Sequence, residues 1–232
     1  MSGPTVTSLR LNERALALSA RILHDAEALR VACHPVEGGG RWVDCGLSRP
    51  GGLAAGIALA EVCLAGLGSV SLCPVAAATD AEPTGLAVQV VTDHPIAACL
   101  ASQYAGWAIQ VESDRYFAMG SGPMRAAAGR EELFATIGHR ESPAQVVGVL
   151  EGRQPPTPGV FARIADACGI SPDNVLLLIA PTASLAGTLQ IVARSVETAL
   201  HKLAELKFDL TRVVAGRGLA PLPPIAKNDL AA

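Results

Sequence analysis

Four polar residues recur along one face of a predicted helix: Gln190, Arg194, Glu197 and His201. Their spacings of four, three and four residues place the side chains in one row. An apolar stripe from Leu185 to Leu203 predicts one helix over about residues 184–206. An arginine three residues before a glutamate suits the chemistry of water, since the carboxylate can accept a proton while the guanidinium holds it ionised and in place. The same spacing is typical of a solvated helix face with an ordinary ion pair, so both interpretations stay open.

The segment before this helix has the composition of a ligand-binding turn. Thr182, Ser184 and Gly187 follow an apolar run and open the helix. Open α/β sheets commonly bind ligands at such strand-to-helix transitions. We therefore expect side chains of this segment in a binding pocket.

A second polar cluster consists of Ser102, Gln103 and Tyr104, which lie just before Gly106. These side chains are candidates for a pocket wall. The alternative is a core helix capped by Asp93.

A third segment, from Met119 to Arg125, contains Gly120, Ser121 and Gly122. Backbone N–H groups in such a loop can bind an anion or a carbonyl group. The alternative is a tight turn that needs glycine.

Other catalytic schemes fit the sequence poorly. The five histidines lack the spacing of a metal site, and there is no nucleophile-elbow, phosphate-loop or dinucleotide-binding motif. We therefore predict no metal ligands.

Composition limits the partners and the location of the 232-residue chain. The formal net charge is −3 and no Lys/Arg-rich run is present, so nucleic acid is not an expected partner. The most apolar stretch, Leu53 to Ala60, is far shorter than the roughly 20 residues of a membrane span. The six cysteines have no paired spacing and are typical of small buried side chains in a reducing compartment. A soluble, cytoplasmic protein is expected.

Hydrophobic periodicity predicts helices and strands in alternation, which indicates a layered α/β architecture of mixed α and β elements. A first helix starts near Leu11, with Asn12 or a near neighbour as its cap. Pro158 and Gly169 mark the start and end of another helix. The proline-rich loop 152–158 is the best internal boundary, and the tail from Gly216 is too rich in glycine and proline for a helix. Strands are predicted over residues 42–45, 69–72, 86–91, 108–111, 145–150 and 175–179.

Four segments together resemble those of the methenyltetrahydromethanopterin cyclohydrolases: HPIAACLASQYAGW, AMGSGPMRA, APTASLAGTLQIVARSVETALHK and GRGLAPLPPIAKND. The similarity also includes the glycine-rich segment WVDCGLSRPGGLAAGIALAEVCLAGLG and the first helix, so it covers nearly the whole chain.

The resemblance implies a cytoplasmic homotrimer whose monomer has two α/β domains with the pterin pocket between them and no prosthetic group. In this sequence the domains would cover about residues 1–151 and 152–232, the second carrying the Arg/Glu helix. Members of the family usually continue beyond the PLPPIA segment, whereas this sequence ends at Ala232. The second domain is therefore expected to be shortened at its C-terminus.

The family's R-x-x-E pair, implicated in activating or positioning water, falls on Arg194 and Glu197. The resemblance thus implies reversible hydrolysis of a methenyl pterin, with Glu197 as acid and base and Arg194 orienting it and the water. A non-catalytic relative that binds a pterin or a partner, and a hydrolase of another cyclic amidine, are the alternatives. The candidate substrate-binding residues are the polar members of the matching segments: Ser102, Gln103, Tyr104, Ser121, Gly122, Thr182, Ser184 and Gln190.

Overall fold

Two β-sheets with helices packed against them make up the computed structural model, which describes residues 9–75 and 85–228. The predicted α/β class is confirmed. The strands are β1 Ala32–Pro35, β2 Arg41–Asp44, β3 Gly68–Pro74, β4 Leu86–Thr92, β5 Trp107–Val111, β6 Tyr116–Ser121, β7 Val146–Gly152, β8 Val175–Ile179 and β9 Gly216–Pro221. The α-helices are α1 Leu11–His24, α2 Ala26–Leu29, α3 Leu53–Cys63, α4 Met124–Ala128, α5 Leu133–Ile137, α6 Pro158–Cys168, α7 Leu185–Val192 and α8 Ser195–Glu205. A π-helix covers Ile96–Gln103, and short 3-10 turns cover Glu112–Asp114, Pro172–Asn174 and Leu210–Arg212.

The larger sheet has six strands in the order β1-β2-β8-β7-β6-β5. Its centre is parallel, because β8 pairs in parallel with both β2 and β7, and the outer pairs are antiparallel. Every residue of β8 is buried. Leu176 and Leu178 pack in one core with residues of α1 and α3, while Leu177 and Ile179 pack in another with residues of α4 and α6. Burial on both faces explains why this strand is a continuous apolar run.

The smaller sheet is antiparallel, in the order β3-β4-β9. Its inner residues Val70, Val88 and Val90 pack in a third core with residues of the π-helix and of α8. The tail from Gly216, which the sequence excludes from helices, supplies the edge strand of this sheet.

Both sheets take strands from both sides of the predicted boundary at residues 151 and 152. Strand β8 pairs with β7, and β9 pairs with β4. The boundary therefore does not separate the two sheets, and the division into domains stays a prediction. The expected shortening of the second domain concerns the C-terminal end of the sequence. Residues 229–232 lie outside the described residues.

The sequence predicts Asn12 or a near neighbour as the cap of α1, and the Asn12 option is wrong. Asn12 lies inside the helix and is fully buried, and the residue at the cap is Arg10, which has a left-handed backbone and no capping side-chain bond. The Asn12 amide donates to Pro123 O (3.0 Å) and accepts from Val147 N (3.0 Å). Asn12 therefore ties α1 to β7 and to the turn before α4.

The predicted start and end of α6 are confirmed. Pro158 stands at its start, and Gly169 ends it with a left-handed backbone (φ 69°). Thr157 caps the helix, since its hydroxyl accepts from Val160 N.

The single helix predicted over residues 184–206 is interrupted. Helix α7 ends at Val192 and α8 starts at Ser195. At the junction the side-chain amide of Gln103 donates to Ala193 O (3.0 Å). This long-range hydrogen bond occupies a carbonyl that a continuous helix would use internally, so helical spacing alone could not reveal the break.

Burial of the cysteines differs from the expectation. Cys45, Cys63 and Cys99 are buried, whereas Cys33 is exposed. Among the helices of the described residues, none is long and apolar enough to cross a membrane.

Candidate active site

Polar side chains meet at the carboxyl edge of the parallel strands. Glu151 stands at the end of β7, after its apolar run. Thr182 comes three residues after the end of β8, the strand that pairs in parallel with β7. Carboxyl ends of adjacent parallel strands share one edge of a sheet, where α/β proteins commonly bind ligands. The next element after Thr182 is α7, which carries Gln190.

Glu151, Gln190 and Arg194 form a closed triangle of hydrogen bonds. Glu151 Oε1 accepts from Gln190 Nε2 (2.9 Å) and from the Arg194 guanidinium, which also donates to Gln190 Oε1 (3.1 Å). The side chains of Arg194 and Glu151 are only 11% and 10% exposed. Because the pair is largely shielded from water, it holds the guanidinium in one place more firmly than a surface ion pair would.

Glu197 lies in α8, three residues after Arg194, and is 5% exposed. Burial raises the pKa of its carboxyl to about 7, against the opposing effect of the Arg194 and Arg125 guanidinium groups. Arg194 favours the ionised carboxyl, as the sequence interpretation expects, but desolvation is the larger effect. The ion pair of Arg194 is with Glu151, and the role of Arg194 towards Glu197 stays a prediction.

A second buried arginine also acts on the Glu197 carboxyl. Arg125 on α4 is fully buried and donates from Nε to Glu131 Oε1 (2.8 Å) in a two-point ion pair. Its guanidinium also donates to Leu100 O and lies 4.9 Å from the centre of the Tyr104 ring. Tyr104 in turn stacks on His201 at 4.5 Å.

Two cavities adjoin these side chains. The Glu151 cavity has a volume of about 410 Å³ and is lined by Arg115, Phe117, Met119, Glu151, Gly152, Arg153, Gln154 and Thr182. The Tyr104 cavity, of about 510 Å³, is lined by residues that include Tyr104, Glu131, His201 and Phe208. Within the described part of the chain, Thr182 Oγ1 and Arg194 Nε are buried without a hydrogen-bond partner. Neither atom has an internal bond to lose, and of the two residues Thr182 lines the Glu151 cavity.

Several predicted binding residues make internal hydrogen bonds. Ser102 Oγ donates to Cys63 O (2.5 Å), and Gln103 donates to Ala193 O. Ser121 Oγ donates to Val149 O (3.3 Å) and lies 3.5 Å from Cys63 Sγ. These bonds tie the π-helix, β6, α3 and the α7–α8 junction together.

Two more of the predicted binding residues, Gly122 and Ser184, also form internal hydrogen bonds. Gly122 has a left-handed backbone (φ 89°), and its N–H donates to Ser102 O (2.8 Å). The turn alternative accounts for this glycine, because its N–H is not offered to a ligand. Ser184 caps α7 by accepting from Gly187 N (3.0 Å). Of the predicted binding residues, Thr182 and Tyr104 line cavities, and the binding roles stay predictions.

Sequence reasoning missed Glu151, Arg125 and Glu131. A signal for Glu151 exists, since it is the charged residue that directly follows the apolar run of β7 at a strand end. Arg125 stands in the AMGSGPMRA segment, but no local pattern indicates its burial or its partner. Among the described residues, no group of three His, Cys, Asp or Glu side chains is placed to hold a metal ion.

Comparison with known proteins gives one consistent result. The model of the cyclohydrolase (MCH) family matches residues 10–232. A methenyltetrahydromethanopterin cyclohydrolase of Methylobacterium sp. (strain 4-46) is 44% identical over 229 residues, which is 97% of this chain and 68% of that protein. Proteins of the same name from Methanospirillum hungatei and Rhodopirellula baltica are 40% and 47% identical, over 94% and 82% of this chain. The chain spans 68% and 56% of the length of these two relatives.

Proposed function

Because the chain belongs to the cyclohydrolase (MCH) family, we propose that it is an enzyme that reversibly hydrolyses 5,10-methenyltetrahydromethanopterin to 5-formyltetrahydromethanopterin. The observation that carries the site assignment is the buried Glu197 carboxyl, whose pKa of about 7 suits acid and base catalysis near neutrality. It stands three residues after Arg194, in the spacing of the family's R-x-x-E pair.

The methenyl carbon of the substrate lies between two nitrogens and carries a delocalised positive charge, so it is already electrophilic. Ionised Glu197 accepts one proton from water as the water oxygen bonds to this carbon. The resulting carbinolamine then collapses: Glu197 returns its proton to N10, the bond between the carbon and N10 breaks, and the hydroxyl proton leaves to solvent as the N5-formyl group forms. The overall reaction consumes one water molecule and releases one proton.

In this scheme Arg194 orients Glu197 and the attacking water. Its buried Nε has no hydrogen-bond partner within the described residues, so it can donate to the water oxygen or to the substrate. Thr182 and Tyr104, which line the two cavities, are the proposed substrate-binding residues among those that the sequence indicates.

Because the substrate supplies the electrophile, the proposed reaction needs no prosthetic group. A homotrimeric assembly and a cytoplasmic location stay predictions, as does the choice of tetrahydromethanopterin over a close analogue.

The test is the loss of methenyl-pterin absorbance on adding the wild-type chain or its Glu197→Gln variant. Acid–base catalysis by a positioned group contributes roughly 10²- to 10⁴-fold, so kcat should fall by about that factor while the circular dichroism spectrum is unchanged. Glu13→Gln is the control, because Glu13 lies on the exposed face of α1 in a surface ion pair with Arg10.

Turnover by Glu197→Gln at the wild-type rate would refute the assignment of Glu197. Binding of the methenyl pterin by the wild-type chain without turnover would favour the alternative of a pterin-holding relative.

A further inference from the structure

Four charged side chains either act on the Glu197 carboxyl or pair with a residue that does, and together with Glu197 we call them the Glu197 cluster: Arg125, Glu131, Glu151, Arg194 and Glu197. Two of them are arginines and three are glutamates. Arg194 is paired with Glu151, and Arg125 is paired with Glu131. Each guanidinium that acts on Glu197 thus already has another carboxylate as its partner.

Glu151 is placed to neutralise Arg194. One of its oxygens, Oε1, accepts from both Arg194 and Gln190, and Gln190 also accepts from Arg194. The three side chains come from β7, α7 and the junction before α8. Their mutual bonds hold the guanidinium on the β7 side of the site.

We propose that Glu151 is a positioning residue of the reaction: by taking up the charge of Arg194, it leaves Glu197 as the carboxyl of the cluster without a counterion of its own, and so able to carry a proton. This inference rests on the proposed function, in which Glu197 must both accept and return a proton. It assigns a role to a residue outside the R-x-x-E pair.

The groups that face Glu197 agree with this role. Desolvation is the largest effect on the pKa of Glu197 and raises it; Arg194, Arg125 and a hydrogen bond with the Thr198 side chain lower it, and Glu151 raises it. From the π-helix side, Cys99 and Tyr104 face Glu197, and the pKa of each is raised mainly by desolvation and in part by the charge of Glu197. On β9, which also packs on α8, the Arg217 guanidinium is bonded to Gln89 instead.

The experiment is a direct titration of the Glu197 carboxyl by ¹³C NMR in the full chain, with Glu197→Gln used to assign the resonance. In Glu151→Gln the amide keeps an oxygen for Arg194 and Gln190 but removes the charge. The Glu197 titration should then move to lower pH by about one pH unit, because the freed guanidinium favours the ionised carboxyl. The low-pH limb of the kcat profile should move in the same direction.

Two further variants separate charge from shape. Glu151→Asp keeps the charge on a shorter side chain, so kcat falls while the titration of Glu197 stays within about 0.3 pH units of wild type. Gln190→Glu adds a second carboxylate beside Arg194 and should move the titration to higher pH, which also provides the test if Glu151→Gln does not fold.

A Glu197 titration that stays in place in Glu151→Gln, or in Gln190→Glu, would overturn the role of Glu151. That result would leave the proposed function intact if Glu197→Gln still loses turnover. Conversely, full turnover by Glu197→Gln would end the proposed function even if the titration of the wild-type carboxyl responds to Glu151.

Discussion

Glu197 should make the folded protein less stable as the pH rises, and Glu197→Gln should remove that loss. The carboxyl has a pKa of about 7 in the folded chain, against 4.5 for an ordinary glutamate. Because the folded-state pKa is raised, the native state binds more protons than the unfolded state between these two values. The stability associated with protonated Glu197 is therefore fully present below pH 4.5 and is lost as the pH rises through 7.

The size of the effect follows from the difference between the two pKa values. At 1.36 kcal/mol per pH unit, this difference corresponds to about 3 kcal/mol. The free energy of unfolding of Glu197→Gln, minus that of wild type, should therefore increase by about 3 kcal/mol between pH 4.5 and pH 8, with about half of the increase reached near pH 6. Taking the difference between the two proteins cancels the other titrating groups.

The assay is equilibrium urea unfolding at four or five pH values, followed by the fluorescence of Trp42, which is buried in the core. Glu13→Gln serves as the control and should differ from wild type by a constant amount, since Glu13 is a surface residue in an exposed ion pair. If the difference between Glu197→Gln and wild type stays constant from pH 5 to pH 8, desolvation does not govern this carboxyl and the argument for its protonation fails.

Two further predictions concern the elements that position the site. Asn12→Ala leaves the buried Val147 N–H without this partner and removes one of the two donors to the Pro123 carbonyl, which still accepts from Ala126 N. The free energy of unfolding should therefore fall by about 2 kcal/mol in urea unfolding at pH 7; a loss below about 1 kcal/mol would contradict the role of this side chain. Gly56→Ala would place a methyl group 2.8 Å from Leu189 Cβ, where α3 and α7 pack closely. This substitution should lower the free energy of unfolding by about 1–3 kcal/mol and the thermal midpoint by roughly 2–4 °C per kcal/mol. A thermal midpoint equal to that of wild type would show that the two helices separate freely.

Local patterns in the sequence were sufficient for much of the fold. The run Val175–Ile179 predicts a strand, and it forms the centre of the larger sheet, where every residue of it is buried. Pro158 and Gly169 bound a helix through backbone preferences that act over a few residues. Family membership, expected from four ordered segments, is confirmed by the match over residues 10–232.

Predictions failed where a distant residue decides the local structure. Asn12 has the side chain of a helix cap, but it is buried because its amide satisfies backbone groups more than a hundred positions away. The helix around Arg194 is interrupted at a carbonyl that accepts from Gln103, 90 positions earlier. Periodicity measures only the spacing within one element, so it cannot report such bonds.

The candidate site shows the same limit in its chemistry. The spacing of Arg194 and Glu197 identifies two residues that share a helical turn, and it suggests that they pair with each other. In the structure Arg194 pairs with Glu151 from β7, and the second arginine near Glu197, Arg125, pairs with Glu131. The Arg194–Glu151 pair joins residues 43 positions apart, whereas Arg125 and Glu131 are only six positions apart. Burial is the main cause that raises the pKa of Glu197 to about 7. The motif thus identifies the proposed acid and base, whereas its protonation depends on residues that no local pattern connects to it.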